Sequence, residues 1–328
     1  MKVLVTGGAG FIGSHFCNRL VEPAVVLDKL SYAADLDNIR HLHTDRIVIG
    51  DICNGDLIRE ILHKHRITTI VHFAAESHVD RSIRDSSEFV TTNIVGTHTL
   101  ITEARRYFES KRIKGRFIHI STDEVYGVAV GETKFTEDTP YAPNSPYAAS
   151  KAASDFLVRS FVKTYNFPAI ITHCSNNFGP HQHDEKLIPT VIRSLVRRQP
   201  IPVYGSGTQV RDWIYVADHC RALELIMYHG KIGSVYNIGG QEKNTLTNLE
   251  LIHMLCNKYD ALTSYDQKSY QLIQHVADRP GHDYRYCIDS TRFLSDFEFE
   301  YTNLDCALNA TIGFYRERYA DNFSSKKD

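Results

Sequence analysis

The chain has 328 residues, 42% of them hydrophobic and 23% charged, and a formal net charge of -2; this suffices for one large α/β unit or two smaller lobes without covalent staples, and gives nucleic acid no basic face. Seven cysteines, odd in number and without a C-x-x-C pair, indicate neither a disulfide framework nor a zinc ribbon. Glycines follow the first three apolar residues, too early for a signal peptide, and no apolar run approaches a membrane span, so a cytoplasmic protein that does not engage a membrane is expected.

The first half alternates short β-branched runs with longer amphipathic stretches, the pattern of βα units around a parallel sheet. Strands are expected at "KVLVT", "AVVLD", "RIVIG", "TTIVHFA", "RFIHIS" and "AIITHC". Apolar residues at helical spacing fill "FIGSHFCNRLV", "GDLIREILHKH" and residues 88–108. Pro146 suits the first turn of a helix reaching Tyr165. After Asn177 prolines and glycines become frequent, so short helices between loops are expected, with "VYNIGG" as one late strand. Only the terminal "SSKKD" reads as disordered.

Within "KVLVTGGAGFIGSHF", Gly7, Gly10 and Gly13 stand three apart between a strand and a helix. Glycines there let the backbone turn tightly and approach a pyrophosphate, whose charge then meets the free N–H groups of the helix start. Alone, the pattern is weak. Asp28, about twenty residues beyond the first glycine, is placed to bind an adenosine ribose and favours NAD over NADP, although the neighbouring Lys29 could accommodate a 2'-phosphate. The expected fold is thus α/β, a doubly wound, Rossmann-like parallel sheet with a smaller, mixed C-terminal substrate lobe. Residues 1–177 form the NAD-binding domain, joined by a late strand near 234–240, and residues 178–328 form mainly the substrate lobe, the two being interleaved.

Tyr147 and Lys151 in "YAASK" fall one above the other on a helix face. A phenol is a poor base at neutral pH unless a nearby ammonium favours its anion. The same spacing recurs at Tyr107 and Lys111, which ends a helix without an adjacent polar loop and reads as a surface pair. In "ISTDEVYG", Ser121 and Glu124 have capping-box spacing, but the glycine and β-branched residues beyond leave little helix to cap. "HQHD", at His181 and His183, has no second cluster to complete a metal site, and no metal is expected.

Taken together, "TGGAGFIG", Asp28, Tyr147 and Lys151 resemble the extended short-chain dehydrogenase/reductase family. "HFAAESHVDRSI", "STDEVYG", "SPYAASKAASD", "CSNNFGP", "EKLIP", "GTQVRDWIYV" and "DRPGHDYRY" are similar to its nucleotide-sugar 4,6-dehydratases, from the first strand to about Tyr286. The resemblance implies oxidation of dTDP-glucose at carbon 4, elimination of water across carbons 5 and 6, and hydride return to carbon 6. UDP-glucose is the alternative substrate. An epimerase or decarboxylase of the same family would lack the Asp-Glu pair, and a non-catalytic dinucleotide sensor would not need the four residues Asp123, Glu124, Tyr147 and Lys151 together.

The resemblance further makes Asp123 the acid, Glu124 the carbon 5 base, Tyr147 the carbon 4 base beside Lys151, and Thr122 a partner of the carbon 4 oxygen. It assigns cofactor contact to Gly7, Gly10, Phe11, Ile12, Gly13, Asp28, Lys29, Asp51, Ile52, Ala74, Ala75, Ser77, Thr92, Tyr147, Lys151 and Asn177. Substrate contact falls to Ser77, Thr122, Asn176, Lys186, Leu187, Arg211, Asn244, Asp278, Arg279 and His282, and a homodimer is implied. Adjacent side chains on a straight strand face opposite ways, so the backbone is expected to turn at Asp123.

Overall fold

A computed structural model describes residues 1–239, 242–263 and 266–324 of the chain. Position 240 of the expected late strand and positions 325–328 of the expected disordered terminus lie outside the described residues. Twelve strands occur in chain order among those described: β1 (Val3–Thr6), β2 (Val25–Asp28), β3 (Ile47–Ile49), β4 (Thr69–His72), β5 (Arg116–Ile120), β6 (Ala169–Cys174), β7 (Asn176–Phe178), β8 (Ile201–Tyr204), β9 (Val210–Tyr215), β10 (Val235–Ile238), β11 (Thr245–Thr247) and β12 (Ile273–Val276).

The first six strands and β10 make one parallel sheet in the order β10-β6-β5-β4-β1-β2-β3. Strand order reverses at β1, where Leu4 lies opposite Val25 on one side and Ile70 on the other. A crevice therefore opens beyond the carboxyl ends of these strands, the ordinary place for a ligand in such sheets. Alternate residues of β1 feed opposite faces: Val3 and Val5 join a core with the helices Phe11–Arg19 and Val216–His229. Leu4 joins the other core, with Gly55–Lys64, Thr97–Lys111 and Pro146–Tyr165. Burial on both faces explains why these strands are nearly continuous apolar runs.

Two smaller sheets, β11-β9-β7 and β12-β8, build the C-terminal lobe. Its core joins Phe178, Ile188, Trp213, Leu251 and Leu308. The helices here, Leu187–Arg197, Asn248–Ala261 and Leu304–Ser324, are not the short pieces expected from the prolines and glycines. Pro189 occupies the first turn of its helix, where a missing N–H breaks no helical hydrogen bond.

Residues 88–108 also differ from the single expected helix, because a π-helical turn at Val90–Gly96 precedes Thr97–Lys111. The turn buries Thr92 and Asn93. Asn93 Oδ1 accepts from Glu76 N at 2.9 Å, while its Nδ2 donates to Glu76 O at 3.0 Å and Ser150 Oγ at 2.8 Å, tying the loop after β4 to the helix Pro146–Tyr165. Tyr107 is not a surface residue: its ring is buried in the core against His63 and Phe108 while Lys111 stays exposed. The aromatic body completes the apolar stripe that faces the helix Gly55–Lys64, which outweighs the position's place at a helix end.

Candidate active site

The glycine loop closes against β4. Gly7 has φ +72°, and a Cβ there would stand 2.6 Å from Ala74 N; at Gly13 a Cβ would stand 2.2 Å from Gly7 O. Only glycine fits either place, and the helix beginning at Phe11 has no side-chain cap, leaving its first N–H groups facing the cleft. Asp28 ends β2, buried, with Oδ2 accepting from Ala9 N at 2.9 Å and Oδ1 from Leu30 N at 2.8 Å. Burial raises its pKa, and those two N–H groups partly oppose the rise. The shape and charge of this end of the cleft fit a dinucleotide.

Lys29 lies in the same wall but is engaged elsewhere. Its Nζ donates to Thr92 Oγ1 at 2.9 Å and stands 3.1 Å from Glu76 and 3.7 Å from Glu88. Burial pulls its pKa down, but hydrogen bonding to Glu76 and the nearby carboxylates outweigh this and raise it.

At the end of β5 the chain turns at Asp123 into a short 3-10 helix, Asp123–Tyr126. Its cap is Thr122, whose Oγ1 accepts from Glu124 N at 3.3 Å; Ser121 instead donates to Asp155 Oδ2 at 2.9 Å, so the Ser121–Glu124 capping box does not form. The turn brings Thr122, Asp123 and Glu124 onto one cleft wall with Tyr147 and Lys151. Asp123 is 2% exposed and its Oδ2 has no hydrogen-bond partner. Burial, then Glu124 and Asp212, push its pKa well above the ordinary carboxylate range. Burial raises Glu124 as well, but Arg211, Arg279 and Lys186 pull it back. The two neighbouring acids thus occupy different electrostatic surroundings, the condition for dividing acid and base roles.

Tyr147 and Lys151 share the cleft wall. Lys151 Nζ donates to Ile120 O at 2.7 Å. Burial and the charge of Glu124 raise the Tyr147 pKa well above its usual value, with a hydrogen bond to Thr122 opposing. Burial lowers the Lys151 pKa, with Asp155 opposing.

Beyond these, Phe11, Ile12, Gly10, Ile52, Ala74, Ala75, Ser77, Thr92, Asn176, Asn177 and Lys186 line the cleft. Seven of the expected contact residues do not line it. Asp51 accepts from Cys53 N at 2.8 Å in a local turn, and Leu187 packs on the lobe core. Arg211 donates to Val210 O and Asp283 O and lies over the Tyr286 ring, while Asn244 donates to Trp213 O. Arg279 is paired with Asp80 at 3.0 Å, and Asp278 accepts from His282 Nδ1 at 2.7 Å. Arg211 acts on the cleft through its field on Glu124 and Asp123, and Arg279 through its field on Glu124.

The cleft also takes in residues that the motifs did not single out. Phe73 and Ser175 follow the carboxyl ends of β4 and β6, so the strand-end rule could have reached them. Ser31 and Ala34 come from the loop after β2, and Gln182, His183 and Glu185 from the loop before the helix Leu187–Arg197, where the sequence assigned them no contact. Glu185 accepts from Tyr32 Oη at 3.1 Å and stands 3.4 Å from His78, joining those loops. His181 packs on Phe314 and His183 on Tyr32.

A sequence profile of the family described as GDP-mannose 4,6 dehydratase matches residues 4–304. A dTDP-glucose 4,6-dehydratase of Xanthomonas campestris is 46% identical, over 90% of this chain and 88% of that protein. The dTDP-glucose 4,6-dehydratase 1 of Escherichia coli K12 is 45% identical, over 99% and 96%. Among solved structures, dTDP-glucose 4,6-dehydratase from Streptomyces venezuelae with NAD and TYD bound is similar with a TM-score of 0.88 and 40% identity, covering 98% of each chain.

Proposed function

Because the chain belongs to the dTDP-glucose 4,6-dehydratase family of extended short-chain dehydrogenase/reductases, we propose that it is an NAD-dependent hydro-lyase converting dTDP-glucose to dTDP-4-keto-6-deoxyglucose. The observation that carries this reading is the pair Asp123 and Glu124, turned into the same cleft as Tyr147, Lys151 and the glycine loop. Simple oxidation or epimerisation at carbon 4 has no use for two further proton-transfer groups.

In this reading the loop Gly7–Gly13, the start of the helix at Phe11 and Asp28 hold NAD, and the engagement of Lys29 with Glu76 disfavours a 2'-phosphate. The chemistry that NAD supplies when bound is hydride acceptance from carbon 4 and hydride return to carbon 6. Tyr147 Oη takes the proton of the carbon 4 hydroxyl against the rise in pKa that burial and Glu124 impose on it, with Lys151 on the same helix face as the source of opposing positive charge, and Thr122 Oγ1 hydrogen-bonds the carbon 4 oxygen. The resulting ketone acidifies the carbon 5 hydrogen, which passes as a proton to Glu124. Asp123, the more strongly neutralised acid, gives its proton to the oxygen on carbon 6, which leaves as water. Each placed proton transfer is worth about a hundredfold to ten-thousandfold. After hydride return, Glu124 restores the proton to carbon 5.

Lys186, Arg211 and Arg279 converge electrostatically on Glu124 from the substrate lobe and suit the diphosphate of the nucleotide. By resemblance, Ser77 and Asn176 on the cleft wall, and Leu187, Asn244, Asp278 and His282 outside it, are assigned to the rest of the substrate. The active form is read as a homodimer. Exposed Val90, Val95, Phe156 and Tyr165, on Val90–Gly96 and the helix Pro146–Tyr165, support an apolar contact there. The cysteines, all unpaired, accord with the cytoplasm. Incubation with dTDP-glucose and UDP-glucose separately, without added NAD, followed by mass measurement, tests the reading: loss of water from the thymidine sugar is expected. Absence of that loss with bound NAD verified would refute it.

A further inference from the structure

Behind the cleft wall lies a fully buried polar cluster to which the reaction gives no role. Tyr147, Lys151 and Asp155 follow one another at four-residue intervals along the helix Pro146–Tyr165, so they form one stripe. Asp155 is 0% exposed, and its Oδ2 accepts from Ser121 Oγ at 2.9 Å and from His173 Nε2 at 2.9 Å, while His119 Nε2 stands 3.1 Å from Oδ1. Tyr141 Oη is 3.0 Å from His173 Nε2, and Tyr126 Oη is 2.8 Å from His173 Nδ1 and 2.9 Å from Asn237 Oδ1 on β10.

A carboxylate is expensive to bury unless donors and an opposite charge meet it. Burial alone would raise the Asp155 pKa, but the imidazoles of His119 and His173 against its two oxygens reverse this and hold the carboxyl far below its usual range. His119, lowered by burial and by Lys151 to about 4, is a neutral donor at neutral pH. Asp155 therefore remains an anion one helical turn from a buried ammonium.

We propose that Asp155 is a positioning residue for the reaction, anchoring the Thr122–Glu124 turn through Ser121 and supplying the counter-charge that faces the buried ammonium of Lys151. This rests on the roles given above to Tyr147 and Lys151. One carboxylate thereby links the two halves of the site, the helix with the carbon 4 base and the turn with the elimination pair. The other titratable or charged groups around it are His72 on β4, His119 on β5, His173 and Cys174 on β6, Tyr126 and Tyr141 from the connecting loops, Arg159 on the same helix, and Asp123 and Glu124 on the turn. Of these, His72 and His119 are held neutral by burial, so neither adds a positive charge beside Lys151 when Asp155 is removed.

The test is single-turnover oxidation of dTDP-glucose, read as reduced-cofactor absorbance across pH, in wild type, Asp155→Asn and Ser121→Ala. Failure of wild type to reduce its cofactor counts against the proposed function and is distinct from failure of this inference. In Asp155→Asn, the alkaline limb of the oxidation rate is expected to move down by about one pH unit or more, the size of a lost neighbouring opposite charge. In Ser121→Ala, the limb stays in place while water elimination slows about tenfold. A rate in Asp155→Asn lowered equally at every pH, with the limb unmoved, overturns the proposal and leaves Asp155 a structural group. Because Asp155→Asn can fail to fold, the Lys151 side-chain nitrogen resonance is also followed with pH in wild type. An ammonium persisting at pH 8 supports the proposal, and a neutral amine at pH 7 overturns it.

Discussion

Replacing Asp123 by asparagine keeps the shape of the side chain and removes a proton that folding obliges the carboxyl to hold. The wild-type group is almost wholly buried, has one oxygen without a partner, and has its pKa pushed well above the ordinary range by burial and then by Glu124 and Asp212. In the unfolded chain it ionises near pH 3.9. Above that pH the unfolded chain releases a proton that the folded chain retains, so wild type loses up to about 1.4 kcal/mol of stability per pH unit until the folded pKa is reached. Asparagine carries no such penalty. Asp123→Asn is therefore expected to gain in stability relative to wild type as pH rises from 5 to 6, by up to about 1.4 kcal/mol, measured by denaturant unfolding at both values. Its dehydration should nevertheless fall about a hundredfold to ten-thousandfold, with reduced cofactor accumulating in a single turnover. A stability difference that does not change with pH would refute the placement of a neutral acid at this position.

Glu124→Gln should still oxidise carbon 4, but exchange of the carbon 5 hydrogen with deuterated solvent should slow at least about a hundredfold, followed by mass spectrometry. Exchange at the wild-type rate would remove Glu124 from its role. Tyr147→Phe should lose the oxidation itself by a similar factor while retaining substrate, which stopped-flow absorbance and a binding titration separate. Gly13→Ala places a methyl group where Gly7 O already stands, so the desalted protein should carry little dinucleotide; ultraviolet absorbance after denaturation measures this, and full retention would contradict the tight turn.

The parallel sheet was legible because strands buried on two faces are written as short apolar runs, from "KVLVT" to "AIITHC". Gly7, Gly13 and Asp28 were legible because steric demand and charge confine those positions to few residue types. Much less could be read where geometry depends on partners distant in sequence. The π turn at Val90–Gly96 is set by what Thr92 and Asn93 bond to, and apolar periodicity records neither. Tyr107 shares its spacing to a lysine with Tyr147, but its ring packs in the core against His63 whereas Tyr147 lines the cleft. The spacing of Tyr147 and Lys151 fixed a common face but not the destination of the ammonium, which depends on the Ile120 carbonyl of another strand. The lobe helices were underestimated because Pro189 was weighed as a breaker, although in a first turn it breaks nothing.

Strand β10 comes from late in the chain yet lies beside β6, with Ile238 opposite Cys174 and Val235 opposite Ile171. During synthesis, then, β6 emerges long before its outer neighbour and has an open edge of unpaired backbone groups while the ribosome adds the intervening segment. Asn237 arrives on that same strand and completes the contact with Tyr126 and His173. Nascent chains stopped before β10 should accordingly be inert and prone to self-association, with catalytic competence appearing only after this final strand of the seven-stranded sheet has docked.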